Sequence, residues 1–380
     1  MKILYDYQIF QIQKFGGISR GLAELITHLP KDIKFDIAVK ESDNLNEYNL
    51  NTNHSPISYQ FTDFLHGINF RGKRRIYNIL SQHGWVKSSD SINIRYSVEK
   101  IIKGDYDIFH PTYFSTYFLK YIRKPFVLTV HDLTAENYPQ YFSQFDCQKV
   151  GRKHLVPLAN HIIVPSLNTK IDVMQKWNIS EEQITVIYWG GVPVNNKEYP
   201  DRIGRPYILY VGLREGYKNF RFFLKAALSF LQRNKDINIV CTGSNFTNSE
   251  MRLFRELHIE DRMQAMFVST EELCGLYSNA LCYTFPSLSE GFGLPILEAF
   301  SCGCPVLLSN RTCFPEIGGD AAFYFNEYSG DSDVSEKLDY ILNMTVEERM
   351  NAKYKGYERL KEFSWKKSAA EYAQVYKSLL

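Results

Sequence analysis

Residues 286–310 read PSLSEGFGLPILEAFSCGCPVLLSN, and this stretch decides how the rest of the chain is read. It follows an apolar run, Leu281 to Phe285, and ends in another, Pro305 to Leu308; both have the length and composition of buried strands. Between them Glu290 closes a loop, Gly291 and Gly293 permit close approach of the backbone, and Pro295 suits the first turn of a short apolar helix that carries Glu298. A helix start preceded by glycines offers unpaired N–H groups and a partial positive charge to an anion. The stretch therefore predicts an α/β sheet edge that binds a phosphate-bearing ligand.

The same alternation extends in both directions. Candidate strands in the first half are Ile3 to Tyr7, Phe35 to Val39, Ile108 to His110, Phe126 to Val130, Ile162 to Pro165 and Ile184 to Ile187. In the second half they are Tyr207 to Val211, Ile237 to Thr242, Ala265 to Val268, Leu281 to Phe285 and Pro305 to Leu308. Phe220 to Gln232 carries an apolar stripe at three-and-four spacing, as expected of a crossover helix. The chain has 380 residues, more than the roughly 250–300 at which a single core stops growing, so two doubly wound domains are expected. Gly190, Gly191, Pro193, Pro200, Gly204 and Pro206 mark the boundary between them. The expected division is 1–190 and 191–362, with a last helical segment, 363–380, completing the first domain.

Composition narrows the function classes. A net charge of +2 gives no general reason for nucleic-acid binding. Seven cysteines, mostly inside apolar runs, suit a reducing cytoplasm, and Cys302-Gly-Cys304 reads as packing at a helix-to-strand turn. No run of 18 apolar residues and no signal-like leader occurs, so the expectation is a cytoplasmic chain that does not span a membrane. Asp105-Tyr-Asp107 and Asp331-Ser-Asp333 read as a strand flank and a helix cap, and no metal site is expected.

An acid, then G-F-G-L-P, then a second Glu in a helix, then G-x-P-V closely resembles the signature of the family-four retaining glycosyltransferases. That resemblance implies a GT-B fold: two Rossmann-like domains facing across a cleft, with the C-terminal helix crossing back to the first. It implies Glu290 on the donor sugar and Glu298 on the nucleotide ribose, with Gly291, Phe292, Gly293 and Leu294 in the donor turn. It places Arg214 and Lys218, in YVGLREGYKN after the strand Tyr207 to Val211, on the donor diphosphate, where fixed cations neutralise the leaving group. Arg214 is expected to be the firmer of the two. Gly16 and Gly17 of FGGISR match the family's N-terminal glycine loop, and His131 of His131-Asp132 matches the residue that reaches the donor sugar.

The implied activity is retaining, metal-independent transfer of a hexose from a nucleoside diphosphate, GDP- or UDP-linked, to a glycan or lipid-linked acceptor. YDYQIF, GGISR and HDLTAENYPQYF resemble bacterial polysaccharide mannosyltransferases, which puts GDP-mannose first. The alternatives are a nucleotide-sugar epimerase of the same fold and a catalytically silent GT-B partner subunit. Phe61, Phe64, Leu65, Ile68 and Phe70 beside Arg71, Lys73, Arg74 and Arg75 form either a peripheral membrane-surface or acceptor element, or an amphipathic helix packed on its own domain.

Overall fold

Runs rich in Val, Ile, Leu, Tyr and Phe become parallel strands buried on both faces, because crossover helices cover each side of the sheet. The structure is a computed structural model. It describes residues 1–380 except 13–15, 44, 49, 51, 60, 62, 63, 66, 67, 69, 71, 83, 84, 196 and 328–330, and except the side chains of 46, 47, 74, 75, 78, 79, 82, 331 and 332. Twelve strands are described: β1 Lys2–Asp6, β2 Lys34–Ala38, β3 Ile108–His110, β4 Val127–Thr129, β5 His161–Val164, β6 Ile184–Val186, β7 Tyr207–Val211, β8 Asn238–Thr242, β9 Met263–Met266, β10 Cys282–Phe285, β11 Val306–Ser309 and β12 Phe323–Phe325.

The first six strands form two three-stranded sheets, β2-β1-β3 and β4-β5-β6, joined by a parallel bridge between Phe109 and Phe126. The last six form one sheet in the order β12-β11-β10-β7-β8-β9. All the described ladders are parallel. In the second sheet the order reverses between β7 and β10, so the loops after these two strands flank the crevice in which doubly wound folds place their ligands.

The helix Trp365–Lys377 leaves the second domain and packs into the core of the first, where Ala369, Tyr372 and Tyr376 are buried with strands β1 to β5. A chain of polar contacts fixes its register. Tyr376 Oη lies 2.9 Å from Tyr5 Oη and 2.6 Å from His110 Nδ1, His110 Nε2 lies 3.0 Å from Thr129 Oγ1, and that hydroxyl lies 3.2 Å from Tyr372 Oη. These groups satisfy one another inside a buried core, which makes the docking position specific as well as apolar.

Three elements differ from the sequence reading. The expected helix Phe220 to Gln232 is two helices, Phe220–Ala226 and Leu228–Arg233. The cause is Ser335: its hydroxyl donates to Ala226 O at 2.9 Å and lies 3.3 Å from Phe230 N, standing in the place of the direct backbone bond between them. Strand β9 occupies Met263–Met266 instead of Ala265 to Val268, and Phe267 beyond it is 77% exposed. Strand β12, Phe323-Tyr-Phe325, was not anticipated; three residues at a sheet edge are too short to show a period.

Candidate active site

The loops after β7 and β10 meet over the reversal in strand order. Lys218, ending the turn Gly216–Lys218, donates through Nζ to Glu290 Oε1 at 2.6 Å, and both side chains are 17% exposed. Burial alone would pull the ammonium pKa down, but Glu290 and Tyr217 together outweigh it and push the value up to about 12, so Lys218 stays charged. Left-handed backbone at Gly216 (φ 58°) and Asn219 (φ 59°) turns the chain tightly enough to aim Lys218 back over the sheet. The Glu290 loop is held from behind: Cys313 Sγ donates to the carbonyls of Glu290 and Phe292 at 3.2 and 3.3 Å. Thr312, at φ 48°, brings Oγ1 to 3.4 Å from Glu290 N.

Two helix N-termini from opposite domains come close to one another at Leu294, four residues after Glu290. The helix Leu294–Ser301 starts from Gly293 in left-handed conformation (φ 98°), and the helix Gly17–Thr27 starts from Gly16; neither start has a side-chain cap. A Cβ on Gly17 would lie 3.6 Å from Leu294 Cδ1, so the two starts are in near contact. Both helices thus start without a side-chain cap, and such a start offers an anion donors and a favourable dipole. One turn further along, Arg20 NH1 donates to Glu298 Oε1 at 3.0 Å across the domain boundary. Burial raises the Glu298 pKa and the Arg20 guanidinium opposes that rise.

Several expected site residues also make contacts within the protein itself. The sequence pattern assigns Gly291 to close approach of a ligand; in the structure a Cβ there would fall 1.7 Å from the His131 carbonyl oxygen, so backbone of the other domain also requires its bareness. Phe292 is 5% exposed and packs among Tyr188, Trp189 and Phe363, which leaves only its backbone to face a donor. Arg214 is 7% exposed; Nε donates to Glu250 Oε1 at 2.6 Å and NH2 to the Ser244 and Asn245 carbonyls at 2.8 and 3.1 Å, over the Phe246 ring. Its guanidinium ties the loop after β7 to the loop after β8, and Lys218 is the cation that stands at Glu290.

His131 leaves the end of β4 with its ring edge-on to Trp189 at 5.4 Å and Phe114 at 6.3 Å. Burial holds its pKa down to about 4, so the imidazole is neutral at neutral pH, and its buried Nδ1 has no protein partner. Asp132 Oδ1 instead accepts from Thr134 N at 2.9 Å. Further contacts close the cleft. Thr134 Oγ1 meets Ser289 Oγ at 3.1 Å, Tyr138 Oη donates to Leu288 O at 3.2 Å, and Glu316 accepts the Leu167 and Asn168 amides at 2.6 and 3.3 Å. Arg20, Glu250, Thr312 and Glu316 were not singled out from sequence. Only Glu250 carried a local signal, the capping box it forms with Thr247.

Among the described residues no group of three or more His, Cys, Asp or Glu could hold a metal ion, and no helix is long and apolar enough to cross a membrane. Asp105 pairs with Lys2 Nζ, and Asp107 accepts the Lys2 amide. Asp333 accepts the Asn326 amide at 2.6 Å, while the side chains of Asp331 and Ser332 lie outside the described residues. Phe15 and Arg71 also lie outside them, as do the side chains of Arg74 and Arg75. Lys73 is buried and donates to Leu65 O at 3.0 Å, so it is not a surface cation, whereas Leu65, Ile68, Phe70 and Ile76 are exposed. An open groove of about 270 Å³ between Lys197–Arg202 and Glu271–Leu276 involves none of the expected residues.

Two family descriptions match this chain, each over its own stretch. The family described as "Glycosyltransferase Family 4" matches residues 15–191, and that described as "Glycosyl transferases group 1" matches 194–359. The chain is 30% identical over 201 residues to the O-antigen chain mannosyltransferase RfbU of Salmonella typhimurium, covering 52% of this chain and 56% of that protein. It is 33% identical over 179 residues to O-antigen chain mannosyltransferase B of Escherichia coli, covering 46% of each. The matches thus span about half the length of these relatives. Among solved structures, Anabaena HepE in complex with UDP and glucose superposes over 100% of both chains with a TM-score of 0.73 at 16% identity. A sucrose-phosphate synthase from Thermosynechococcus elongatus gives 0.72 at 17%, over 100% of this chain and 99% of that one. At such identities the likeness bears on fold alone.

Proposed function

The chain belongs to the family-four glycosyltransferases of GT-B fold, and from that premise we propose that it transfers a hexose from a nucleoside diphosphate to a glycan or lipid-linked acceptor with retention of configuration. The observation that carries this reading is the meeting of Lys218 and Glu290 over the β7/β10 switch point, beside two uncapped helix starts. A nucleoside diphosphate sugar suits that arrangement group by group. The diphosphate takes Lys218 and the free amides, the sugar hydroxyls take Glu290, and the ribose hydroxyls take Glu298.

As the glycosidic bond breaks, negative charge grows on the leaving diphosphate. Lys218 and the helix amides are already aimed at it, so little reorganisation is needed in the transition state. Glu290 orients the sugar and stabilises the positive charge developing at the anomeric carbon; it is neither a glycosidase acid nor a base. Neutral His131, at the end of β4, is the candidate to reach the sugar from the first domain, through the Nδ1 that has no protein partner. Arg214 acts through the loop it braces: by fixing the segment after β7 it sets the reach of Lys218.

The relatives named as O-antigen mannosyltransferases make GDP-mannose the first donor to test, with surface-polysaccharide synthesis on the cytoplasmic side of a membrane as the setting. The exposed Leu65, Ile68, Phe70 and Ile76 suit a lipid-linked acceptor presented at that surface. Transfer is proposed to need no metal, and activity that vanishes in EDTA and returns with magnesium would overturn that part. The test of the whole reading is incubation with GDP-mannose, UDP-glucose and UDP-N-acetylglucosamine, with and without lipid-linked oligosaccharide. Release of nucleoside diphosphate that depends on acceptor supports it. An altered nucleotide sugar without acceptor would instead identify an epimerase, and binding without turnover a silent subunit.

A further inference from the structure

We propose that Arg20 is a positioning residue for the nucleotide: from the acceptor-side domain it anchors one carboxylate oxygen of Glu298, leaving the other for the ribose hydroxyls of the donor. The inference rests on the donor site proposed above and adds a residue from the opposite domain to it. Arg20 is the fourth residue of the helix Gly17–Thr27, Glu298 is the fifth of Leu294–Ser301, and the two helix starts lie close together, a Cβ on Gly17 being 3.6 Å from Leu294 Cδ1. The 3.0 Å bond from NH1 to Oε1 therefore joins two helices that belong to opposite domains.

Glu298 needs such a partner. Its helix is apolar, with Ile296, Leu297, Ala299 and Phe300 buried around it, and its side chain is 24% exposed. Among the described residues, Glu298 also acts electrostatically on Tyr277 and Cys274 of the helix Thr270–Asn279 and on Tyr283 of β10, none of them a cation. Lys353, on the neighbouring helix Val346–Leu360, lies over Gly303 beyond the end of the Glu298 helix. Burial favours the neutral acid, and Arg20 is the group that opposes it. A protonated Glu298 would have to donate from one oxygen, and a ribose diol, which offers two hydroxyl donors, would lose an acceptor.

This role also couples the donor to domain closure. The same guanidinium that orders Glu298 belongs to the opposite domain, so the ribose site is complete only when the cleft is shut. A structural ion pair that merely latches the empty cleft would behave in the opposite way, since the donor would have to break it.

The experiment compares binding of a ribonucleoside diphosphate with its 2′,3′-dideoxy analogue by calorimetry, using guanosine or uridine diphosphate, whichever the wild-type chain binds. Wild type is expected to prefer the ribonucleotide by about tenfold or more, the usual scale for charge-assisted hydrogen bonds. Arg20→Ala should bring the two affinities within about twofold by weakening only the ribonucleotide, Arg20→Lys should restore much of the preference, and Glu298→Gln should abolish it. Thermal melts of each variant check folding. Equal weakening of both nucleotides by Arg20→Ala, or tighter binding of either, overturns the proposal while leaving the donor site standing. A wild-type chain that binds neither nucleotide overturns the donor site itself, and this inference with it.

Discussion

Replacing Lys218 with alanine tests the site where structure and chemistry depend on the same contact. The Lys218–Glu290 pair is 2.6 Å apart with each side chain 17% exposed. At an effective dielectric of about 20, two unit charges at that distance attract by roughly 6 kcal/mol, much of it offset by desolvation. Removing one partner of a fully buried pair costs about 3–5 kcal/mol; partial exposure here brings the expected loss to about 2–3 kcal/mol. At about 2–4 °C per kcal/mol for a domain of this size, Lys218→Ala should lower the melting temperature by about 5–10 °C. The second variant, Lys218→Ala with Glu290→Gln, removes the stranded charge and should recover most of that loss. Activity should not follow. With the diphosphate cation gone, kcat/KM should stay about 10²–10³ below wild type in the single variant and fall further in the double variant, which also lacks the Glu290 carboxylate, measured as acceptor-dependent release of nucleoside diphosphate. If activity recovers together with stability, Lys218 serves the fold alone and its diphosphate role is refuted.

Three further perturbations probe the surroundings. Gly291→Ala puts a methyl group where the His131 carbonyl oxygen lies, 1.7 Å from an ideal Cβ; the domains should fold but fail to close, giving a larger radius of gyration by small-angle scattering and at least a hundredfold less transfer, and an unchanged radius with full activity would contradict the contact. Arg214→Ala strands Glu250, whose pKa burial would raise but Arg214 holds below the ordinary value. It should cost about 2–4 kcal/mol in chemical denaturation, and Arg214→Ala with Glu250→Gln should regain part of both stability and turnover; loss of turnover with unaltered stability would mean that Arg214 contacts the donor directly. His110 and His131 are neutral in the fold, with burial pulling their pKa values down to about 3 and about 4. Their contribution is therefore full above about 6.5 and is lost as pH falls through that value toward 4, so melts should decline from about pH 6.5 downward, less steeply in His131→Gln. A flat profile to pH 5 would contradict neutral burial.

Much of this architecture is legible in the chain because local signals and tertiary demands agree. The runs that become β7, β10 and β11 are apolar on both faces, and the glycine-proline sequence at 291–295 can only open a helix tightly. Disagreement starts where a residue's purpose lies in a distant segment. Gly291 looks like a ligand-facing glycine, yet its space is filled by backbone 160 positions earlier. Arg214 has the chemistry of a phosphate clamp, but Glu250 and the carbonyls after β8 reach it first. Phe292 stands inside the donor motif and points into the aromatic cluster at the domain hinge. The break at Ala227 has no glycine or proline to announce it, because the serine that causes it sits on another helix. The Arg20–Glu298 pair spans both domains, so neither motif shows it alone.

A crystal structure of the chain with the nucleoside diphosphate it binds tests the donor site directly. The diphosphate is expected between Lys218 and the amides that open the helix Leu294–Ser301, with the ribose hydroxyls on Glu298 and the terminal phosphate toward Glu290 and His131. Density for the nucleotide in the open groove at Lys197–Arg202, or anywhere that leaves the Lys218–Glu290 crevice empty, would contradict it.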